Sequence, residues 1–183
     1  MLATLMLFLD ISALEPDWSR EQCLRWWSPG QQLLKSIRRY QYWRKHDGIL
    51  GRFFRKWNVL EHRFWSVVTA ADIPLNCQIQ GGLLIPHPNG IVIHPEAVIG
   101  PNCLILQQVT IVSGVTIGGH VDLGAGAKII RPVAIGSHAK IGANAVLLDD
   151  VPAYSVAVGV PAQIVVRTES SNVLPKLRSD TVV

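Results

Sequence analysis

Large aliphatic residues recur at every sixth position through the second half of the chain. The first of these positions is residue 93 and the last is residue 147. They are Ile93, Ile99, Ile105, Ile111, Ile117, Leu123, Ile129, Ile135, Ile141 and Leu147. The residue two places before each is also apolar, as at Ile91 and Val109, and the residue after is often glycine, as at Gly100. Two coupled positions held in register over ten repeats identify a hexapeptide repeat.

The six-residue period predicts a coil rather than a helix or a flat sheet. Positions recur every 3.6 residues in a helix and every two in a strand, so a chain with a period of six must turn a corner every six residues. Three such sides close a triangular coil of eighteen residues. Coils stack at about 4.8 Å, which places Ile93, Ile111 and Ile129 above one another. The pattern therefore predicts a mainly β protein, a parallel β-helix, and leaves the hand of the helix open.

The repeat is interrupted between Ile85 and Ile93, where the spacing is two residues longer than the register requires. The additional residues lie in the segment 86–90. His87 stands there between two prolines, which restrict its backbone. An insertion in a strict solenoid marks a point where the backbone leaves the coil for a function. His87 is therefore the first candidate functional residue.

The composition changes near residue 71. All six tryptophans precede it, and the first 71 residues carry a net charge of +5 against −1 for the remainder. Apolar and basic residues at helical spacing, with breaks at Pro29-Gly30 and Asp47-Gly48, predict an α-helical segment. We interpret residues 1–71 as a cap over the open end of the β-helix, with its charges in water. A basic, aromatic surface for a membrane or nucleic acid is the alternative, and we expect no nucleic-acid partner.

The two ends of the chain and its cysteines complete the domain prediction. The apolar residues 2–9 are too few to span a bilayer, so we expect a helix buried in the fold or against a partner subunit, with a peripheral membrane anchor as the alternative. Three cysteines without paired spacing, and no signal peptide, predict a cytoplasmic protein. We expect the β-helix domain over residues 72–167 and a loose polar tail over 168–183.

Five motifs in a fixed order carry a family resemblance. They are His87 before Asn89-Gly90-Ile91-Val92, then Leu106-Gln107-Gln108-Val109-Thr110, Gly124-Ala125-Gly126-Ala127-Lys128-Ile129, Ala139-Lys140-Ile141-Gly142-Ala143, and Val158-Gly159-Val160-Pro161-Ala162. Over residues 72–165 the sequence resembles the catalytic domain of the serine acetyltransferases, which are left-handed β-helix hexapeptide acyltransferases. The resemblance implies a left-handed coil, an acetyl-CoA-dependent O-acetyltransferase of cysteine biosynthesis, and a homotrimer, or a dimer of trimers, with active sites between subunits.

The resemblance also assigns roles to particular residues. Acyl transfer to a hydroxyl needs a base that works near neutral pH, such as an imidazole, and a carboxylate that orients it. In the family the carboxylate precedes the histidine by fifteen residues, which matches Asp72 and His87. The expected acetyl-CoA contacts have small side chains or a positive charge. They are Ala125, Ala143, Gly159, Lys128 and Lys140.

Two departures from the family pattern concern the acceptor. Pro86 stands where the family has an aspartate, and residues 111–117 keep the strict spacing where the family has a loop with an arginine and a second histidine. Both differences remove charged groups that would position serine, which is a zwitterion. A sugar hydroxyl in polysaccharide biosynthesis is therefore an alternative acceptor, and a catalytically weak trimeric scaffold is an alternative function.

Histidines beside the coils raise a further alternative, a zinc-dependent hydratase, which needs three imidazoles around one ion. His120 and His138 are eighteen residues apart and should stack on one edge of neighbouring coils. His94 falls on a different corner, so a third ligand is not evident. We therefore predict corner histidines and no metal.

Overall fold

The computed structural model describes residues 11–23, 25–46 and 48–165. A short 3-10 helix, Trp18–Glu21, is followed by helix α1, Pro29–Arg44, and helix α2, Ile49–Thr69, which pack against each other. The expectations for residues 2–9 and 168–183 lie outside the described residues. Within the described ranges, none of the helices combines the length and the apolar character that crossing a membrane requires.

Between the end of α2 and residue 165, the last residue that the structure describes, the chain forms thirteen short strands. They are β1 Gln78–Ile79, β2 Val92–Ile93, β3 Val98–Ile99, β4 Leu104–Ile105, β5 Thr110–Ile111, β6 Thr116–Ile117, β7 Asp122–Leu123, β8 Lys128–Ile129, β9 Ala134–Ile135, β10 Lys140–Ile141, β11 Val146–Leu147, β12 Val156–Val158 and β13 Gln163–Val165. Sheet I has the order β1-β3-β6-β9, sheet II β13-β12-β10-β7-β4, and sheet III β11-β8-β5-β2. All neighbours pair in parallel except β12 and β13. The predicted parallel β-helix is confirmed.

The residues of the six-residue repeat form the interior of the coil. From Ile93 to Leu147, each is no more than 3% exposed, and the apolar residues two places earlier are no more than 5% exposed. Each fully buried Ile or Leu contributes about 1.5–3 kcal/mol from the apolar area that it removes from water. β-Branched side chains suit this column because their restricted rotamers pack well on a pleated surface. The interior therefore follows directly from the repeat.

The interruption of the repeat is a longer first coil. Gln78 pairs with Val98, twenty residues further on, whereas Val98 pairs with Thr116, eighteen residues further on. The bridge from Leu84 to Leu104 has the same twenty-residue offset. The two additional residues therefore lie between sheet II of the first coil and sheet III of the second, as the sequence predicted.

The two helices cover the open end of the first coil. Three residues of α1 belong to the buried core: Leu33, Leu34 and Ile37. Polar side chains of both helices also meet backbone carbonyl oxygens that the first coil would otherwise leave unpaired. The contacts are Arg38 Nη1 to the oxygen of Ile79 at 2.6 Å, Gln41 Nε2 to that of Cys77 at 3.1 Å, and His62 Nε2 to that of Ile73 at 2.9 Å. Within the described residues, α1 and α2 therefore cap this end of the coil, because buried backbone groups need such partners.

Candidate functional site

The edge between sheets II and III is a column of tight turns. We call it the II–III edge, and its turns lie at residues 89–90, 107–108, 125–126 and 143–144. The turns are joined by hydrogen bonds in which the second residue of one donates to the first residue of the turn before it. The donors and acceptors are Gln108 N to Asn89 O at 2.9 Å, Gly126 N to Gln107 O at 2.8 Å, and Asn144 N to Ala125 O at 2.8 Å. The first turn residues therefore stand one above another.

The side chains on the II–III edge become small toward the later coils. Asn89 and Gln107 lead the first two turns, and Ala125 and Ala143 lead the next two. The second residue of each turn has a positive φ, including 60° at Gln108 and 57° at Asn144. Because Ala143 is exposed and has only a methyl side chain, an extended ligand can approach the backbone there. The structure thus places two of the predicted acetyl-CoA contacts in one line.

His87 lies immediately before the first turn of the II–III edge. Its side chain is exposed and lines a cavity of about 620 Å³. The neighbouring walls include Trp27 and Gln31, from the start of α1 and the loop before it, and Asn89 from the turn itself. The insertion therefore carries the imidazole to an open position with room for a small molecule beside it.

Asp72 lies on the first coil, next to the strand that follows the insertion. Its backbone forms a parallel bridge with Val92, donating to Ile91 O at 2.8 Å and accepting from Ile93 N at 2.9 Å. Its side chain is exposed. In the part of the chain that the structure describes, no hydrogen bond or ion pair joins this carboxylate to the His87 imidazole. The partnership of Asp72 and His87 therefore stays a prediction.

The three other predicted acetyl-CoA contacts lie on strands or turns that flank the II–III edge. Lys128, on sheet III, donates from Nζ to Gln108 O at 2.6 Å and to Thr110 Oγ1 at 3.0 Å. Lys140, on sheet II, has a side chain that is 62% exposed, with Nζ 3.6 Å from Asp122 Oδ2. Gly159 follows β12 at the end of the same edge, with a φ of 102°.

Of the residues that line this cavity, only His87 was predicted from the sequence as a functional residue. Trp27 and Gln31 line the same cavity as His87 only because α1 packs over the first coil, and nothing in the repeat indicates that packing. Asn89 belongs to a motif that the sequence analysis singled out, but without a role. The sequence signal was thus limited to the insertion itself.

Two cysteines are buried in the coil rather than placed at the candidate site. Burial raises the pKa of the Cys77 thiol to about 12 and that of Cys103 to about 11. A thiol reacts as its thiolate, so neither side chain is a nucleophile near neutral pH. The His87 imidazole is thus the better candidate for acid–base chemistry.

His120 and His138 lie one above the other on the edge between sheets I and II, as their spacing predicted. Their Nδ1 atoms are 2.9 Å apart, and the ring of Tyr154 stacks on His138 with centroids 4.6 Å apart. His94 lies on the remaining edge, between sheets III and I. Across residues 11–23, 25–46 and 48–165, no three His, Cys, Asp or Glu side chains are grouped closely enough to hold a metal ion.

The histidine pair makes a prediction about stability and pH. Burial lowers the pKa of His120, and the positive charges of neighbouring groups add to this effect against the opposing Asp122 carboxylate. A lowered pKa means that the folded state favours the neutral imidazole. The stabilising contribution of neutral His120 to the free energy of unfolding is therefore fully present when the pH is above the ordinary pKa of about 6.5. It is lost as the pH falls from there toward the lowered pKa.

We expect the urea midpoint of the wild type to fall between about pH 7.5 and about pH 5.5, and the fall to be smaller in His120→Gln. His46→Gln, an exposed histidine outside the coils, is the matched control and should keep the wild-type pH dependence. Equal pH dependence in wild type and His120→Gln would contradict the assignment.

Comparison with known proteins points to one family. No family model matches the chain. The serine acetyltransferase of Mycobacterium tuberculosis is 37% identical over 116 residues, which are 59% of this chain and 51% of that protein. Soybean serine acetyltransferase complexed with serine matches with a TM-score of 0.62 at 36% identity, covering 75% of this chain and 57% of the other. A serine acetyltransferase in complex with CoA matches with the same TM-score of 0.62 at 34% identity and the same coverage.

These matches cover only part of each relative. The chain spans about half the length of the curated relatives it matches. The structural match covers three quarters of this chain, so it extends beyond the repeat. In sequence and in fold, the chain described here resembles the serine acetyltransferases among the hexapeptide-repeat acyltransferases.

Proposed function

We propose that this chain is an acetyl-CoA-dependent O-acetyltransferase in which His87 is the general base. The observation that carries the proposal is the II–III edge, whose stacked turns bring the small residues Ala125 and Ala143 into one column that begins at Asn89, two residues after the exposed His87. One structural relative is a serine acetyltransferase in complex with CoA, which supports the same donor here. An exposed base, a cavity beside it and an open backbone column are the parts that this reaction needs.

Acetyl-CoA would lie along the II–III edge with its thioester at the His87 end. Three coil steps separate the turn at Asn89 from the turn at Ala143, or about 14 Å at the usual strand spacing. An extended pantetheine arm can follow such a column and pair with its backbone groups. The exposed Lys140 is suited to meet the phosphates, whereas Lys128 is already bonded to the preceding coil.

The reaction transfers an acetyl group directly to the acceptor. His87 takes the proton of the acceptor hydroxyl as its oxygen attacks the thioester carbonyl carbon, forming a C–O bond. The C–S bond then breaks, and the CoA thiolate receives the proton from the imidazolium. Asp72 is proposed to stabilise that imidazolium and fix its orientation when the site is assembled.

We include a cytoplasmic homotrimer in the proposal. The II–III edge is an outer corner of the coil, with Ala143 exposed and Ala125 half-buried, so a groove around the ligand needs a second wall. A neighbouring subunit is the natural source of that wall, as the resemblance implies. A dimer of trimers remains part of the prediction.

A second acceptor class is favoured by the lining of the cavity beside His87. Trp27, Gln31 and Asn89 offer an aromatic face and neutral hydrogen-bonding groups. The guanidinium of Arg20, which also lines the cavity, donates to Asn102 O at 2.6 Å. The turn between β5 and β6 is short, so no charged loop is added there. An uncharged sugar hydroxyl fits these groups better than zwitterionic serine does.

The test is an acceptor screen with the full chain. Free thiol would be measured with acetyl-CoA alone, with added serine, and with added neutral monosaccharides. We expect thiol release to rise with a hydroxyl acceptor, and the acceptor that raises it most identifies the substrate class. If no acceptor raises thiol release and CoA does not bind, the enzyme proposal is wrong and a trimeric scaffold is the better account.

A further inference from the structure

The outward face of α2 carries a continuous row of large apolar side chains. We call it the outer stripe, and all its members are between 38% and 82% exposed. They are Ile49, Leu50, Phe53, Trp57, Leu60, Phe64, Val67 and Val68. At 3.6 residues per turn these positions fall on one side of the helix. A helix of 21 residues is about 30 Å long, so the outer stripe is a continuous apolar patch rather than a set of scattered surface residues.

On the side of α2 that faces the protein, the fully buried side chains are smaller and more polar than those of the outer stripe. The fully buried residues of this side are Gly51, Asn58 and Thr69, and Trp65 packs half-buried against the core. Asn58 Nδ2 donates to Phe54 O at 2.7 Å, and Thr69 Oγ1 donates to Trp65 O at 2.7 Å, so both polar groups are satisfied within the helix. The large apolar side chains of the outer stripe therefore lie on the face of α2 opposite to the one that covers the β-helix. Burial against the β-helix does not account for the outer stripe.

Basic residues border the outer stripe on one side. Arg52, Lys56 and Arg63 are exposed and recur at helical spacing along α2. The acidic residue of this helix, Glu61, accepts from Arg39 of α1 at 3.1 Å. A second copy of this surface would bring the cations of two chains together without opposing acids. The charge of the border therefore favours an anionic partner.

We propose that the outer stripe of α2 docks onto an anionic lipid surface. Helices that lie in a membrane interface typically carry Trp, Phe and Leu on one face and Lys and Arg beside it. Basic side chains near such a surface are attracted to anionic headgroups. Nucleic acid fits less well, because a wide row of aliphatic side chains offers nothing to a phosphate backbone. The proposal does not depend on the acetyltransferase activity.

The test is co-sedimentation of the full chain with lipid vesicles. Vesicles of phosphatidylcholine alone would be compared with vesicles that also contain phosphatidylglycerol, at low and high salt. We expect binding to the anionic vesicles and weakening by salt. Trp57→Ser and Phe64→Ser should each lower the partition constant about tenfold, since each removes a large apolar side chain that the lipid would bury. Lys56→Glu should lower binding to the vesicles that contain phosphatidylglycerol and leave binding to the phosphatidylcholine vesicles unchanged.

The control is Tyr154→Ser, which removes an aromatic ring at least as exposed as Trp57 from the β-helix instead of α2. It should bind vesicles as the wild type does. Light scattering of the same variants separates the lipid proposal from self-association. The proposal is overturned if the wild type does not sediment with anionic vesicles, if Trp57→Ser and Tyr154→Ser bind equally, or if Trp57→Ser lowers the oligomeric mass, which would make the stripe a contact between copies.

Discussion

Replacing His87 with alanine is expected to slow acetyl transfer by about 10²–10⁴-fold, the usual contribution of a general base. The hydroxyl of an acceptor is a weak nucleophile until its proton is removed, and the variant has no group at that position to remove it. Folding should be little affected, because the His87 side chain is exposed. The measurements are the rate of thiol release at saturating acetyl-CoA and the urea midpoint of the same preparation.

The chain offers a matched control for this substitution. His94 is also a corner histidine, but it lies on the edge between sheets III and I, where Nδ1 accepts from Glu96 N at 3.2 Å. His94→Ala should therefore keep the wild-type rate. A similar loss in both variants would mean that histidine removal acts through the fold. Full activity in His87→Ala would exclude this residue as the base.

Replacing Ala143 with glutamate is expected to weaken CoA binding about a hundredfold. Ala143 is exposed at the fourth turn of the II–III edge, where we place the pantetheine arm and the path to the phosphates. A carboxylate there adds a like charge near the phosphates, and such a juxtaposition costs several kcal/mol. It also fills the space that the methyl group leaves open. Isothermal titration of CoA against the full chain measures the effect.

Ala153→Glu provides the comparison for this second substitution. Ala153 is also an exposed alanine that begins a tight turn, but its turn lies on the edge between sheets I and II, beside Tyr154. CoA should bind this variant with wild-type affinity. If Ala153→Glu weakened CoA binding while Ala143→Glu did not, CoA would bind at the edge between sheets I and II, and its placement on the II–III edge would be wrong.

The repeat predicted the β-helix because each six-residue unit determines its own fold. The positions of Ile93 and its successors fix which side chains are buried, and the spacing alone fixes which strands are neighbours. The longer interval before Ile93 likewise predicted the insertion that makes the first coil longer. The eighteen-residue separation of His120 and His138 predicted that they lie above one another on neighbouring coils, where their rings meet edge to face with centroids 5.0 Å apart. The hand of the coil is not fixed by the repeat and was implied only by the family resemblance.

The arrangement of the helical segment was harder to predict, because it depends on contacts between distant residues. Helical periodicity identifies an amphipathic α2 but does not tell which face meets the protein. The outer stripe reverses the usual expectation, since Asn58 and Thr69 are buried while Trp57 is exposed. The cavity wall formed by Trp27 beside His87 has the same origin. No local pattern in the sequence encodes either feature.

The most direct test of the account is the stoichiometry of the reaction with the best acceptor. The full chain would be incubated with acetyl-CoA and that acceptor, and free thiol and acetyl ester would be measured together. The account predicts that each thiol released is matched by one acetyl ester on the acceptor, and that both disappear in His87→Ala. Thiol release without an acetyl ester, or neither product in the wild type with any hydroxyl acceptor, would contradict it.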